Sequence, residues 1–256
     1  MEQQAEITEI KEIEEQQVPE VEPVIARVKA AYILALELIR ADKDVRYYLN
    51  GINVKPHPVL PGVLLTATNG HMAMMIHDEQ GYASREFTLV TSKQLINCCK
   101  IKGTLTGSEW VEVNGQEISV VKSCKYMDND QMGLPAVEKP LVEYVNGIFS
   151  FEEIDGDQPF PDVVSRVIPD LSEYTALEGG YIGVNAEYLF KVKKAFLLAT
   201  GMKEVHLGLR FKDPNSSIYV SCNFDNVAAV VMPALIDDYS AELPEFLKTM
   251  KEEASE

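Results

Sequence analysis

Few residues in this chain of 256 stand in a pattern that could do covalent chemistry. His71 has no serine, cysteine or carboxylate set beside it at the spacing of a nucleophilic site, and there is no G-x-S-x-G or phosphate-loop text. Glu152-Glu153-Ile154-Asp155-Gly156-Asp157 gathers carboxylates that could attract Ca²⁺, but the spacing is not that of an EF-hand loop and no helix pair flanks it. Of the cysteines, Cys98 and Cys99 are adjacent, Cys124 and Cys222 are isolated, and none has C-x-x-C spacing or a histidine partner. They read as reduced structural thiols. A hydrolase using His71 and the acidic loop is the enzymatic alternative, and it has no motif behind it. The expectation is a non-enzyme with no cofactor and no metal.

The chemistry that remains is non-covalent, and charge bounds it. The net charge is −17, with 46% hydrophobic and 25% charged residues, the balance of an ordinary globular protein. Residues 1–23 hold eight glutamates and one lysine, and residues 237–256 hold seven acids and two lysines. The body between them is therefore only mildly acidic. Such a chain does not wrap nucleic acid with its whole surface, although basic residues gathered on one face could hold it loosely. No apolar run reaches the roughly 20 residues of a membrane span, and no signal peptide is visible. No membrane partner and a cytoplasmic location are expected.

The elements that must position any site follow from pattern and punctuation. Residues 1–23 read as a flexible acidic arm broken by Pro19 and Pro23, or as a short helix on Ile7, Ile10 and Ile13. Val24 to Val28 suits a short strand and Ala30 to Arg40 a helix. Val45 to Leu49, Leu64 to Thr68 and Met72 to Ile76 read as strands. A second unit has a strand at Phe87 to Val90, a helix at Lys93 to Ile101 capped by Thr91 or Ser92, and a hairpin turning at Asn114-Gly115. Its last strand, Val142 to Phe151, is interrupted at Asn146-Gly147, and residues 126–140 read as an inserted loop. A third unit runs from a strand at Tyr181 to Val184 through a helix capped by Asn185 and ended by Gly201. Strands Glu204 to Phe211, Ser217 to Asn223 and Val227 to Met232 follow, and a short amphipathic helix is expected around Leu243 to Met250. The order strand–helix–strand–strand–strand is thus written three times without a letter-level repeat. The implied fold class is α+β, with helices on one side of antiparallel sheets.

Four stretches resemble one family in that family's own order. Asp44-Val45-Arg46-Tyr47-Tyr48-Leu49-Asn50-Gly51 with Ala67-Thr68-Asn69-Gly70-His71 is similar to the middle domain of the bacterial sliding clamp, the beta subunit of DNA polymerase III. The run from Asp155 to Asp162, continuing through Arg166-Val167-Ile168-Pro169, resembles the clamp's linker between middle and last domains. Ile182-Gly183-Val184-Asn185 with Tyr188-Leu189, and Ala229-Val230-Val231-Met232-Pro233-Ala234-Leu235, resemble its last domain. The resemblance implies a DNA-clamp-like fold with sheets outside and helices on the inner face. It divides the chain into an arm (1–23), a clamp domain (24–170), a half-domain (171–236) and an acidic tail (237–256). The family's first domain and the first half of its last domain have no counterpart. Asn69 replaces the usual Asp and Met72 the usual Arg. The chain is identified as a shortened member of the family, from a phage or another mobile element.

The resemblance also implies the function: a processivity factor that encircles duplex DNA as a homo-oligomer, slides without reading sequence, and tethers polymerase and clamp-loader peptides. The implied peptide pocket is formed by Leu49, Thr68, Gly70, His71, Met72, Pro169, Val230, Val231, Met232 and Pro233, with Ala234 and Leu235 at its edge. The implied DNA-facing residues are Arg27, Lys29, Arg40 and Lys43 around the first helix, Lys93, Lys100 and Lys102 around the second, Lys191, Lys193 and Lys194 on the third, and Tyr47 and Tyr48. The family's rings hold twelve half-domain units, so four chains of three would close one. A rival reading keeps the pocket without the ring: an adaptor that binds polymerase or loader peptides and never encircles DNA.

Overall fold

Alternating apolar residues make two antiparallel sheets, and three helices lie against them in a row. A computed structural model describes residues 24–100, 109–125, 141–154, 158–168 and 182–234, with the backbone alone at 123–125 and 141–144. The acidic arm, the loop at 126–140, the tail helix around Leu243, and Lys102, Pro169, Tyr181 and Leu235 lie outside the described residues. So do Asp155, Gly156 and Asp157 of the acidic loop.

The first unit is β1 (Val24–Lys29), α1 (Ala30–Glu37), β2 (Ile52–Pro56), β3 (Val63–Thr68) and β4 (Met72–Asp78), followed by the two-residue β5 (Tyr82–Ala83). The second is β6 (Phe87–Leu89), α2 (Lys93–Cys99), β7 (Glu109–Asn114), β8 (Glu117–Lys125) and β9 (Leu141–Ser150). A short helix α3 (Val163–Val167) leads to the third unit, α4 (Ala186–Thr200), β10 (Gly208–Arg210), β11 (Ile218–Ser221) and β12 (Val227–Val231). Among the described residues, the opening strand of this third unit is represented by a single bridge, Gly183 to Ala234. One sheet runs β5-β1-β7-β8-β9 and the other β10-β11-β12-β4-β3-β2-β6, every pairing antiparallel. The third unit therefore continues the sheet of the first, through β12 on β4 with Val230 opposite Ala73.

Helix α1 packs between α2 and α4 and against strands of both sheets. That position explains why Ala30 and Tyr32 through Leu36 are all buried, with no polar stripe on the helix. Phe196 and Val192 of α4 join the same core as Ile33, Leu36, Met74, Ile76, Ala229 and Val231.

Several boundaries differ from the sequence reading, each for a local reason. Val45 to Leu49 is not a strand: Tyr47–Leu49 is a 3₁₀ turn and Val45 is 96% exposed. Here the Asn50 amide donates to the Asp44 carbonyl and accepts from the Asp44 N–H, and the Asp44 carboxylate accepts from the Arg46 N–H. Side chains thus take the hydrogen bonds a neighbouring strand would need. The strand starts instead at Ile52. The hairpin turn is Gly115-Gln116, with Asn114 opposite Glu117 and Gly115 at φ 53°. The interruption at Asn146-Gly147 is a bulge: Val120 faces Gly147 but Val121 faces Val145. Ser92 caps α2 through a bond from the Leu95 N–H, and Asn185 caps α4 through one from the Glu187 N–H. Gly201 ends α4 in the left-handed region.

Candidate functional site

The outer face of the second sheet is where a site can be built, because its residues are small and a linker crosses it. Ala73 and Met75 of β4 and Val230 of β12 point away from the main core and, with Val163 of α3, form a separate small cluster. Asp162 starts α3 by accepting from the Ser165 N–H at 3.1 Å, and the Ser165 hydroxyl together with that N–H holds its carboxyl below the usual range. The Ser217 hydroxyl of the sheet donates to the Val167 carbonyl and fixes the far end of the helix.

Beside α3 opens a cavity of about 320 Å³. Its walls are Leu49 and Tyr48, the turn Thr68, Gly70, His71 and Met72, the strand residues Ala73 and Val230, Met232, and Pro161, Val163 and Val167. The turn is held by its own side chains. Thr68 Oγ1 donates to the Met72 carbonyl and accepts from the Gly70 N–H, while Asn69 Oδ1 accepts from the N–H groups of His71 and Met72. The His71 carbonyl accepts from the Met232 N–H at 2.8 Å, and its ring stacks on Tyr188 of α4 at 5.8 Å. Gly70 sits at φ +85°, where a Cβ would lie 2.9 Å from the Arg46 guanidinium. Arg46 is in turn gripped by both oxygens of Asp44, and that contact pulls the Asp44 carboxyl down to about 2.

What results is an apolar cavity on a rigid rim with one planar cation. Thr68 has its hydrogen bonds made internally, and no general base is poised against a nucleophile among the lining residues. Such a wall can bind large apolar side chains by burial and can orient a peptide by a few polar contacts at the rim.

The structure brings together Leu49, Thr68, Gly70, His71, Met72, Val230 and Met232 of the residues assigned to a pocket. It does not bring Val231, which is fully buried in the main core on the opposite face of β12. Pro233 and Ala234 follow the wall without lining it. Sequence reading missed Arg46, Ala73, Pro161, Val163 and Val167, and assigned Tyr48 to DNA. An available signal was Asp162 followed by apolar residues at 163 and 167, the mark of one capped helical turn.

The residues assigned to DNA are dispersed. Lys93 and Lys100 flank α2, and Lys193 and Lys194 are exposed on α4, where Lys194 lies over the Phe190 ring. Lys191 is half-buried on the same helix. Arg27 is on strand β1, paired to Glu112 at 3.1 Å and over Trp110. Lys29 precedes α1 and donates its N–H to buried Asp78, Arg40 is gripped by Glu37, and Lys43 and Tyr47 are exposed in the loop after α1. Among the described residues no three His, Cys, Asp or Glu side chains could hold a metal ion. Cys98, Cys99 and Cys222 are free, and burial pushes the Cys99 thiol up to about 12. No described helix is long and apolar enough to cross a membrane.

No family model and no curated protein matches the chain. Solved structures do. The sliding clamp of Pseudomonas aeruginosa, crystallised with a ligand, superposes with TM-score 0.51 at 19% identity over 84% of this chain and 67% of that one. The DNA polymerase III beta subunit of Thermotoga maritima gives 0.51 at 15% identity, over 86% and 69%. That of Caulobacter crescentus gives 0.51 at 17%, over 86% and 68%. The chain spans about two-thirds of the length of these proteins, and what it shares with them is architecture: it has the fold of the bacterial DNA polymerase III beta sliding clamps.

Proposed function

We propose that this protein is a sliding clamp without enzymatic activity, which closes around duplex DNA as a homo-oligomer and captures peptides of replication proteins in the cavity beside His71. The observation that carries the reading is an apolar cavity, walled by a capped linker helix and a self-bonded turn, in a chain of clamp fold. Three repeated units per chain make four chains the natural ring. β9 and β10 are each one of the two edge strands of their sheets, the others being β5 and β6, and pairing of β9 with β10 between copies would join the sheets head to tail. Exposed lysines on α2 and α4 supply weak attraction to phosphates that leaves the protein free to move.

A second reading has a specific observation behind it. The middle helix α1 exposes no stripe, and Arg27 and Arg40 are ion-paired to Glu112 and Glu37, so the cationic surface is thinner than the sequence suggests. An adaptor that binds peptides without encircling DNA needs no such surface.

Retention on nicked circular DNA, compared before and after linearisation and with the solution mass by light scattering, separates the two. A clamp stays on circles, is lost from linear ends and has four times the chain mass. An adaptor shows equal or no retention on both.

A further inference from the structure

We propose that the cavity beside His71 has a resident occupant, the chain's own segment 237–251, with Leu243 and Phe246 as its anchors. The proposal rests on reading that cavity as a peptide site and names what fills it before a partner arrives.

Position is the first argument. β12 ends at Val231, Met232 lines the cavity with its N–H on the His71 carbonyl, and Ala234 is bridged to Gly183. The segment leaves the described fold at the cavity's own wall. The eight residues 235–242 lie between Ala234 and Leu243. At roughly 3.3–3.6 Å per residue they reach up to about 30 Å. That is ample for a return to Val230 or Val163. A tether this short raises the effective concentration of its end to the order of millimolar, so a segment of modest intrinsic affinity competes well with a free peptide.

Chemical fit is the second. Between the larger Tyr48, Leu49 and Met232, the walls include the small residues Gly70, Thr68, Ala73, Val163 and Val230, which leave room for large side chains of a guest. Residues 237–251 provide Leu243, Phe246, Leu247 and Met250, spaced to share one face of a helix. Apolar side chains of that size gain free energy when they are buried against such a wall.

Charge is the third. The anchors are preceded by Asp237, Asp238 and Glu242 and interleaved with Glu245. The rim presents Arg46, and Arg166 is exposed on α3 beside the wall residues Val163 and Val167. Among the described residues no carboxylate lines the cavity; Asp44, paired to Arg46, and Asp162, at the start of α3, are each already engaged. The acidic arm at 1–23, with Ile7, Ile10 and Ile13, is the competing occupant; it joins the fold at β1, in the other sheet.

The test uses the full chain and a fluorescently labelled synthetic peptide of residues 237–251, read by anisotropy. The expected result is at least tenfold tighter binding to Leu243→Ala/Phe246→Ala than to the unsubstituted chain, because the internal competitor is gone. Adding Met232→Glu, an exposed position, abolishes it, with the thermal midpoint of each variant confirming the fold. Equal affinity for both chains, or no saturable binding, overturns the proposal. So does unmasking by Ile7→Ala/Ile10→Ala/Ile13→Ala instead, which would make the arm the occupant. A random linear-peptide display library panned on the Leu243→Ala/Phe246→Ala chain separates this failure from that of the peptide site. Binders that need Met232, without binding of the 237–251 peptide, remove the tail and keep the site. No binders from either source remove both.

Discussion

Strand β4 carries a histidine at each end, His71 just before it and His77 within its last turn of backbone, and the two ends open into cavities of opposite character. The His71 end is walled by Leu49, Ala73, Val163, Val230 and Met232. The His77 end, a cavity of about 450 Å³, is lined by Lys29, Tyr32, Leu60, Glu79, Gln80, Asp225 and Asn226. Both ends hold a histidine ring in place, His71 in the turn before β4 and His77 within the strand. His71 is stacked on Tyr188, and His77 Nε2 donates to the Pro61 carbonyl beside His57. The difference lies in what covers the sheet. Helix α3 crosses the outer face at one end and adds aliphatic wall; at the other end the cavity is lined largely by charged and polar residues. An apolar guest gains about 25 cal/mol for each Å² it buries only at the first. The lesson is that the linker, more than the strand, makes the site.

The sharpest way to break this comparison is across one peptide bond of β12. Val231→Asp places an unpaired charge in the core and should cost more than about 4 kcal/mol, read by urea unfolding. Met232→Glu, next to it but 36% exposed, should change stability by less than about 0.5 kcal/mol and still lose peptide binding. Gly70→Ala forces a side chain to φ +85° against the Arg46 guanidinium. We expect a loss of about 1–2 kcal/mol, with a larger relative loss of binding at the His71 end than any change at the His77 end. Asp162→Ala removes the cap of α3 and should cost about 1 kcal/mol, loosening Val163 and Val167 and lowering affinity without moving the sheet.

The smallest effect sharpens the other end. His57 Nδ1 accepts from the N–H groups of Val59 and Leu60, so its neutral form carries the proton on Nε2. Burial, then the nearby His77 and Lys55, hold its pKa below the ordinary histidine value. The loop's stabilisation is therefore complete above pH 6.5 and is lost as pH falls through the lower folded value. Amide exchange at Val59 and Leu60 should accelerate on that acid side, while the Thr68–Met72 turn, held by neutral groups, stays protected.

How far the chain could be read without coordinates depended on whether the information was local. The three-fold order of elements was legible because caps and breakers are local: Ser92, Asn185 and Gly201 act where they stand. The turn at Asn69-Gly70 was legible for the same reason. The stretch Asp44 to Gly51 misled, because its β-branched and aromatic residues favour a strand while Asp44 and Asn50 tie it into a loop through side-chain hydrogen bonds six residues apart. Which face a residue takes was the least legible. Val231, the last residue of β12, and Met232, just beyond it, are apolar neighbours, and only the sheet's pairing with β4 decides which one enters the core. The all-round burial of α1 needed the third unit's α4 beside it, a contact more than 150 residues away in sequence. Basic residues flanking α1 consequently read as a surface that the packing does not provide.

The central claim, that the His71 end of β4 is the binding end, is tested most directly by methionine-methyl NMR. The chain carrying Leu243→Ala/Phe246→Ala, whose cavity is free of its own tail, is labelled at its methionine methyls and titrated with a synthetic acidic nonapeptide bearing a leucine and a phenylalanine three residues apart. The account predicts saturable shifts of Met72 and Met232, smaller ones of Met75 beneath the wall, and none of Met202 beyond the end of α4. Shifts absent from Met72 and Met232, or spread equally to Met202, would contradict it.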